Sequence, residues 1–467
     1  MNALSLRTKT DFFLRTLFFL IPLLIGMVYW LSFYPGVMSF DSISQWHQLS
    51  TLHINNWHPA ISTILMWLLT RLWYSPAVVS LFQVIFAAII IGYGLTSLYS
   101  GTRLPGFIFI VLGILISADP LVAIINVTLW KDVIYGFLVL LLSTFLFNII
   151  RTKGEWIAKP VNFVLFGVTL AFIFLFRVNG FPVAIVSLIC LLFLYTKYIK
   201  PFSFAALITI AIILVVVGPL YSIFKVDRSY RQTYGIPFLN PVAAYISTNQ
   251  DLGSLSLSDR EYLDSIYPLD NPWPYSCYDA TIFFYESNLI PVVQNPLSTV
   301  KIFTKLATHD PSNAFRHFLC LSSFIWQPNQ PLGVYLETIL FENYNPEWMT
   351  DWSVYKDSLT QSSILPQIHN LVQRAVKAEV HRDTYMLFWR HALYLFAFLV
   401  GLILLVIRTR NARWLLLAVP IVSQSIIVMF TAQLQAVRYQ YPVYLISLLF
   451  TLPMIIVALK NPKQLSN

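Results

Sequence analysis

Charge is what this chain lacks most. Only 11% of its 467 residues are Asp, Glu, Lys or Arg, where a soluble domain carries about a quarter. With 57% hydrophobic residues, that excludes an ordinary water-soluble fold and points to many membrane spans. Cysteine is scarce too. Cys190, Cys277 and Cys320 form no CxxC pair and no metal-ligand spacing. No internal repeat, low-complexity tract or DxD motif is present, and no small-residue cleavage site follows the first apolar run, which therefore reads as a retained span. The middles of the apolar runs hold no charged residue. A charge there costs at least about 2.5 kcal/mol and marks ion or proton paths, so its absence argues against an ion-coupled transporter.

What is present is a series of apolar runs, near 17–34, 58–74, 76–98, 105–118, 133–150, 160–176, 181–196, 203–222, 391–407, 413–431 and 441–459. The positive-inside rule decides how many cross. With ten crossings and the N-terminus inside, the cytoplasmic segments hold Arg7, Lys9, Arg15, Arg103, Arg151, Lys153, Lys159, Lys197, Lys200, Arg408, Arg410, Arg413, Lys460 and Lys463. The short outer segments keep only Arg71, Lys131, Arg177 and Arg438. Making 58–74 a span destroys this bias, so it is assigned to an interfacial helix, a depth that suits the amphipathic rings of Trp57, Trp67, Trp73 and Tyr74. The net charge of +9 follows from the cytoplasmic cations and carries no nucleic-acid signal.

The chain thus divides into a transmembrane core over 1–224 with a first outer loop at 35–75, a large extracytoplasmic loop over 225–390, and C-terminal spans over 391–467. Turn signals such as "LDNPWP" and amphipathic pieces such as "NAFRHFLCLSSFIW" predict a mostly helical cap. Cys277 and Cys320 both fall in it, where oxidation is possible; a disulfide and two half-buried thiols both fit the spacing.

The unusual charges gather at the outer ends of the spans. Asp41 follows the first span within "FDSISQWHQLSTLHINNWHPA", which also holds His47, His53 and His58. Lys131 and Asp132 lie in "VTLWKDVIYG", Arg177 in "LFRVNGFP" and Arg438 in "AVRYQYP". Cations at headgroup level with aromatic flanks suit a lipid phosphate. A carboxylate beside them suits a general base, and burial against lipid is expected to raise its pKa. Each residue also has a plainer role open to it. Asp41 fits the N-cap of the following helix, and His58 an interfacial position before Pro59, a natural first helical residue. Lys131 and Asp132 fit a local pair, Arg177 a side chain reaching to headgroups, and Arg438 an anchor in an aromatic belt. "HRD" at 381–383 and the sequon "NVT" at Asn126 read as chance matches.

"SFYPGVMSFDSISQW" followed by "NNWHPAI" resembles the first outer loop of GT-C-fold membrane glycosyltransferases, the class of the protein O-mannosyltransferases and the lipid A aminoarabinose transferase. In that class an Asp follows the first span and a His-Pro-Pro or Lys-Pro segment opens an interfacial helix. Here the matches are Asp41 and His58-Pro59, with Ala60 where a second Pro is common; Asp132 matches a second-loop acid. "WKDV", "RVNG" and "RYQYP" look most like a bacterial branch. The resemblance covers the membrane core, about two thirds of the chain.

It implies an all-α polytopic GT-C-like fold with about ten spans, and inverting transfer of a sugar from a polyprenyl-phosphate donor to an acceptor hydroxyl. Asp41 would be the base, with Asp132 and His58 beside it. Lys131, Arg177 and Arg438 would hold the donor phosphate. No nucleotide-sugar site and no cofactor are expected, and a divalent metal on Asp41, Asp132 and His58 is not favoured. The implied setting is the extracytoplasmic face of the inner membrane, with both termini cytoplasmic and no nucleic-acid partner. The acceptor stays open among O-antigen, lipid A, another envelope polymer and a protein. Two other classes also stay open: a lipid-linked glycan polymerase or ligase, and a non-enzymatic lipid or glycan transporter.

Overall fold

A computed structural model describes residues 3–228, 234–248, 252–329, 362–379, 386–387, 389 and 390–460. The "HRD" triplet lies outside them. Among the described residues there is no β-strand, only three isolated bridges. The chain is an all-α, multi-pass membrane protein.

The first half holds α1 (Ala3–Ser32), α2 (Phe40–Thr51), α3 (Ala60–Thr70), α4 (Pro76–Thr102), α5 (Gly106–Ala118), α6 (Pro120–Val127), α7 (Lys131–Arg151), α8 (Pro160–Phe176), α9 (Gly180–Leu194) and α10 (Ile199–Val215). After the cap come α11 (Ala392–Thr409), α12 (Ala418–Thr431) and α13 (Tyr441–Lys460). Among the described residues, seven helices are long and apolar enough to span a bilayer, and the α5–α6 pair makes an eighth candidate bent by 58°. At 1.5 Å per residue, the 17 residues of α8 and 15 of α9 reach about 25 and 22 Å, short of a hydrocarbon core of about 30 Å. The 11 residues of α3 reach only about 16 Å, too little to cross, as the charge distribution predicts. It begins at Ala60 with Pro59 as its N-cap, one residue later than the sequence suggests.

Burial sorts the helices. The apolar window of α7 is 94% buried and that of α10 only 11%, so α7 is the central post and α10 faces outward. Helix α7 packs on α4, α8 and α13. Its Gly136 lies so close to Tyr441 of α13 that a Cβ would stand 2.7 Å from the ring.

The apolar runs assigned from the sequence hold no charge in their middles, and Asp119 lies just past one of them, between α5 and α6. Asp119 sits at the α5–α6 bend, where it accepts from the Val122 amide at 2.9 Å and the Tyr444 hydroxyl at 2.8 Å. Having capped α6, it accounts for the break without an ion. Asn126, the sequon residue, is buried in α6 and out of reach of a glycan.

The described cap runs from Ile236 to Trp326 and is helical, with its own core of Leu239, Val242, Leu263, Trp273, Phe283 and Ile302. Cys277 and Cys320 form a disulfide in it. The helix Pro366–Glu379, also assigned to the loop by sequence, packs instead on α1 and α6.

Candidate functional site

Two short connections bring the charged segments together. The turn after α1 carries Gly36 at φ +129°, where a Cβ would also press on Leu129 at 2.7 Å. This lets Val37 lie parallel to Thr128: Val37 N donates to Val127 O at 2.9 Å and Leu129 N to Val37 O at 3.0 Å. The start of α2 therefore meets the start of α7. The contact is locked by Ser42 Oγ donating to Leu129 O at 2.8 Å, and by Gln83 Nε2 of α4 donating to Thr128 O and Trp130 O.

Asp41 does not cap α2. Ser39 is the N-cap, in a reciprocal capping box with Ser42. Asp41 lies in the first turn, its carboxylate left for other partners. One oxygen accepts from Arg438 at 2.6 Å and stands 3.7 Å from the Lys131 ammonium. The other stands 3.8 Å from His58 Nε2. Lys131 Nζ lies 3.2 Å from His58 Nδ1. As an ammonium only donates, it assigns the lone pair to Nδ1 and turns Nε2–H toward Asp41. Lys131 is also 3.8 Å from Asp132, which pairs closely with Arg177.

All six residues singled out from the sequence thus form one cluster at one end of the bundle. Three cations stand against two carboxylates and a histidine. With the histidine neutral, one positive charge is left over.

Aromatic rings wall the cations. Arg438 lies 5.0 Å from the Trp130 ring centre and Arg177 4.6 Å from that of Tyr439. The turn Val437–Gln440 that carries Arg438 is held by Gln424 Nε2 on Tyr439 O at 2.7 Å, and Gln424 in turn accepts from Tyr135. Gln424 was not singled out by sequence, since a glutamine in an apolar helix carries no level or sidedness. Trp130 and Tyr439 were readable as immediate neighbours of Lys131 and Arg438. His47 and His53 stay outside the cluster.

Electrostatics correct one expectation. Burial pushes the Asp41 carboxyl up, but Arg438, Lys131 and His58 outweigh it and hold the pKa well below the usual carboxylate range. Burial, helped by Lys131, lowers His58 to about 4, so it is neutral at pH 7. As for a metal, no three His, Cys, Asp or Glu side chains are grouped as ligands among the described residues. Both carboxylates are already turned to arginines.

No protein-family model matches the chain, and neither a curated protein nor a solved structure does.

Proposed function

We propose that this cluster is the active site of a membrane glycosyltransferase, with a GT-C-like arrangement of about ten crossings. It takes a sugar from a polyprenyl-phosphate donor and passes it to a hydroxyl of an envelope glycan, lipid or protein at the extracytoplasmic face of the inner membrane. One observation carries the reading. Four segments far apart in sequence deliver two carboxylates and three cations to one aromatic-walled point at a helix-bundle end, leaving one positive charge for an anionic ligand.

The chemistry follows from those groups. The acceptor oxygen attacks the anomeric carbon as its proton passes to Asp41. The bond from that carbon to the phosphate oxygen breaks, and polyprenyl phosphate leaves with the electron pair. Attack opposite the leaving group inverts the anomeric centre. Lys131, Arg177 and Arg438 stabilise the charge gained by the phosphate. Asp132 holds Arg177, and His58 lies beside Asp41 and Lys131.

In the ligand-free cluster Arg438 makes Asp41 a weak base. A donor phosphate competes for the same guanidinium, and an arginine turned toward phosphate frees Asp41 to accept a proton. Donor binding then precedes base activation. A polymerase or ligase would rely on Arg and His without paired acids; here two acids share the cluster.

The test is transfer from radiolabelled polyprenyl-phosphate sugars to an envelope-glycan extract by protein in lipid, wild type against Asp41→Asn. General-base removal predicts a loss of at least about a hundredfold in kcat with donor binding retained. Equal transfer by both proteins would remove Asp41 from the mechanism. No transfer by wild type with any donor would favour the polymerase or transporter classes.

A further inference from the structure

The segment that delivers Arg438 is gripped from the cap. Between α12 and the Arg438 turn the chain runs along residues 278–280. Leu434 pairs antiparallel with Asp279, Ala280 N donates to Gln433 O at 2.7 Å, and Gln435 N donates to Tyr278 O at 3.1 Å. The Gln435 side chain reaches the other side of the grip. Its Nε2 lies 2.9 Å from Cys320 O, 3.2 Å from Leu321 O and 2.8 Å from Ser323 Oγ, and its Oε1 accepts from Arg390 at 3.4 Å. An amide nitrogen has two hydrogens for these three acceptors, so the side chain has no spare donor. The two gripping strands of chain are themselves joined by the Cys277–Cys320 disulfide, next to Tyr278 on one side and at the accepting carbonyl on the other. Only Ala436 and Val437 separate Gln435 from Arg438.

We infer that Gln435 is a positioning residue. Braced by the Cys277–Cys320 disulfide, it fixes the turn from which Arg438 reaches Asp41, so that the oxidised cap governs how the membrane-embedded cluster meets its anionic ligand. The consequence for catalysis rests on the reading of Arg438 as a donor-phosphate ligand; the grip itself does not. Loss of one or two of these hydrogen bonds frees the turn locally. Reduction of the disulfide acts on the same turn by releasing residues 278–280 from Cys320.

The experiment compares full-length wild type, Gln435→Met and Cys277→Ser/Cys320→Ser in lipid nanodiscs. Amide hydrogen exchange is followed over residues 436–440, and donor KM and kcat are measured with a polyprenyl-phosphate sugar. Exchange at 436–440 is expected to rise about tenfold in both variants, with α4 and α7 unchanged. Donor kcat/KM should fall by at least a similar factor, with kcat lowered as well as KM raised, because Arg438 both binds the donor phosphate and stabilises the charge it gains. Unchanged exchange at 436–440 overturns the inference. So does loosening that extends equally into α7, which would make Gln435 only a general prop of the fold. If wild type transfers no sugar, the functional reading fails while the exchange data still judge the grip.

Discussion

At the residue scale, His58 shows how the cluster stores its charge state. Its pKa falls from an ordinary 6.5 to about 4 because it is buried beside Lys131. Between those values the unfolded chain takes up a proton that the folded chain refuses, so stability falls as the pH drops from 6.5 toward 4. The full shift is worth at most about 3 kcal/mol. Replacing His58 by glutamine, which keeps a hydrogen-bonding side chain without titrating, should flatten the decline in thermal midpoint across that range. An unchanged slope would assign the titration to another buried histidine, such as His317, which is also lowered to about 4. Asp41 has the same sign at a lower pH: its pKa is also depressed, so it contributes stability that is present above the ordinary carboxylate range and lost as the pH falls toward the folded value.

At the element scale, the Asp132–Arg177 pair ties the first turn of α7 to the end of α8, and Asn179 Nδ2 extends the tie to Thr431 of α12 at 2.9 Å. Gly180 fits the same junction, where a Cβ would stand 2.3 Å from the Ile173 carbonyl. Asp132 is 1% exposed, so Arg177→Ala strands a buried carboxylate with only the more distant Lys131. The expected cost is about 3–5 kcal/mol. Adding Asp132→Asn should recover much of it, because the pair is coupled. Thermal unfolding of the two single variants and the double checks this; strictly additive losses would mean that the elements are held by packing alone.

At the scale of the whole molecule, the proposed ten crossings fix which residues share a side. With α3 too short to cross, that proposal puts His53 and Leu72, which flank it, on one face with Leu257 of the cap, and Glu155 on the other. Single cysteines at these four positions, in a Cys190→Ser background, should react with an impermeant maleimide in that pattern. The first three should label on intact spheroplasts and Glu155→Cys only after permeabilisation. Opposite labelling of positions 53 and 72 would make 58–74 a span and invert everything after it.

The class of fold and the membership of the cluster were both legible in the sequence, for one physical reason. In a chain this poor in charge, ionised side chains are kept to helix ends, so counting spans assigns each one to a level. That is how Asp41, Lys131, Asp132, Arg177 and Arg438 could be assigned to one level from the sequence, and why α3 was kept at the surface. Helix order gives level, but not which helices are neighbours. The meeting of α2 with α7 depends on the Val37–Thr128 bridge, which no periodicity announces. The sign of the Asp41 shift depends on where the Arg438 guanidinium points. The pairing of Cys277 with Cys320, and the Tyr444 hydroxyl that meets Asp119 at the bend, likewise arise from contacts between residues distant in sequence. The sequence by itself put the charged groups of the cluster at the ends of apolar helices, because the cost of burying a charge in lipid is one-dimensional along the chain. Only tertiary packing chose their partners, because lateral neighbours are selected by side-chain fit between helices.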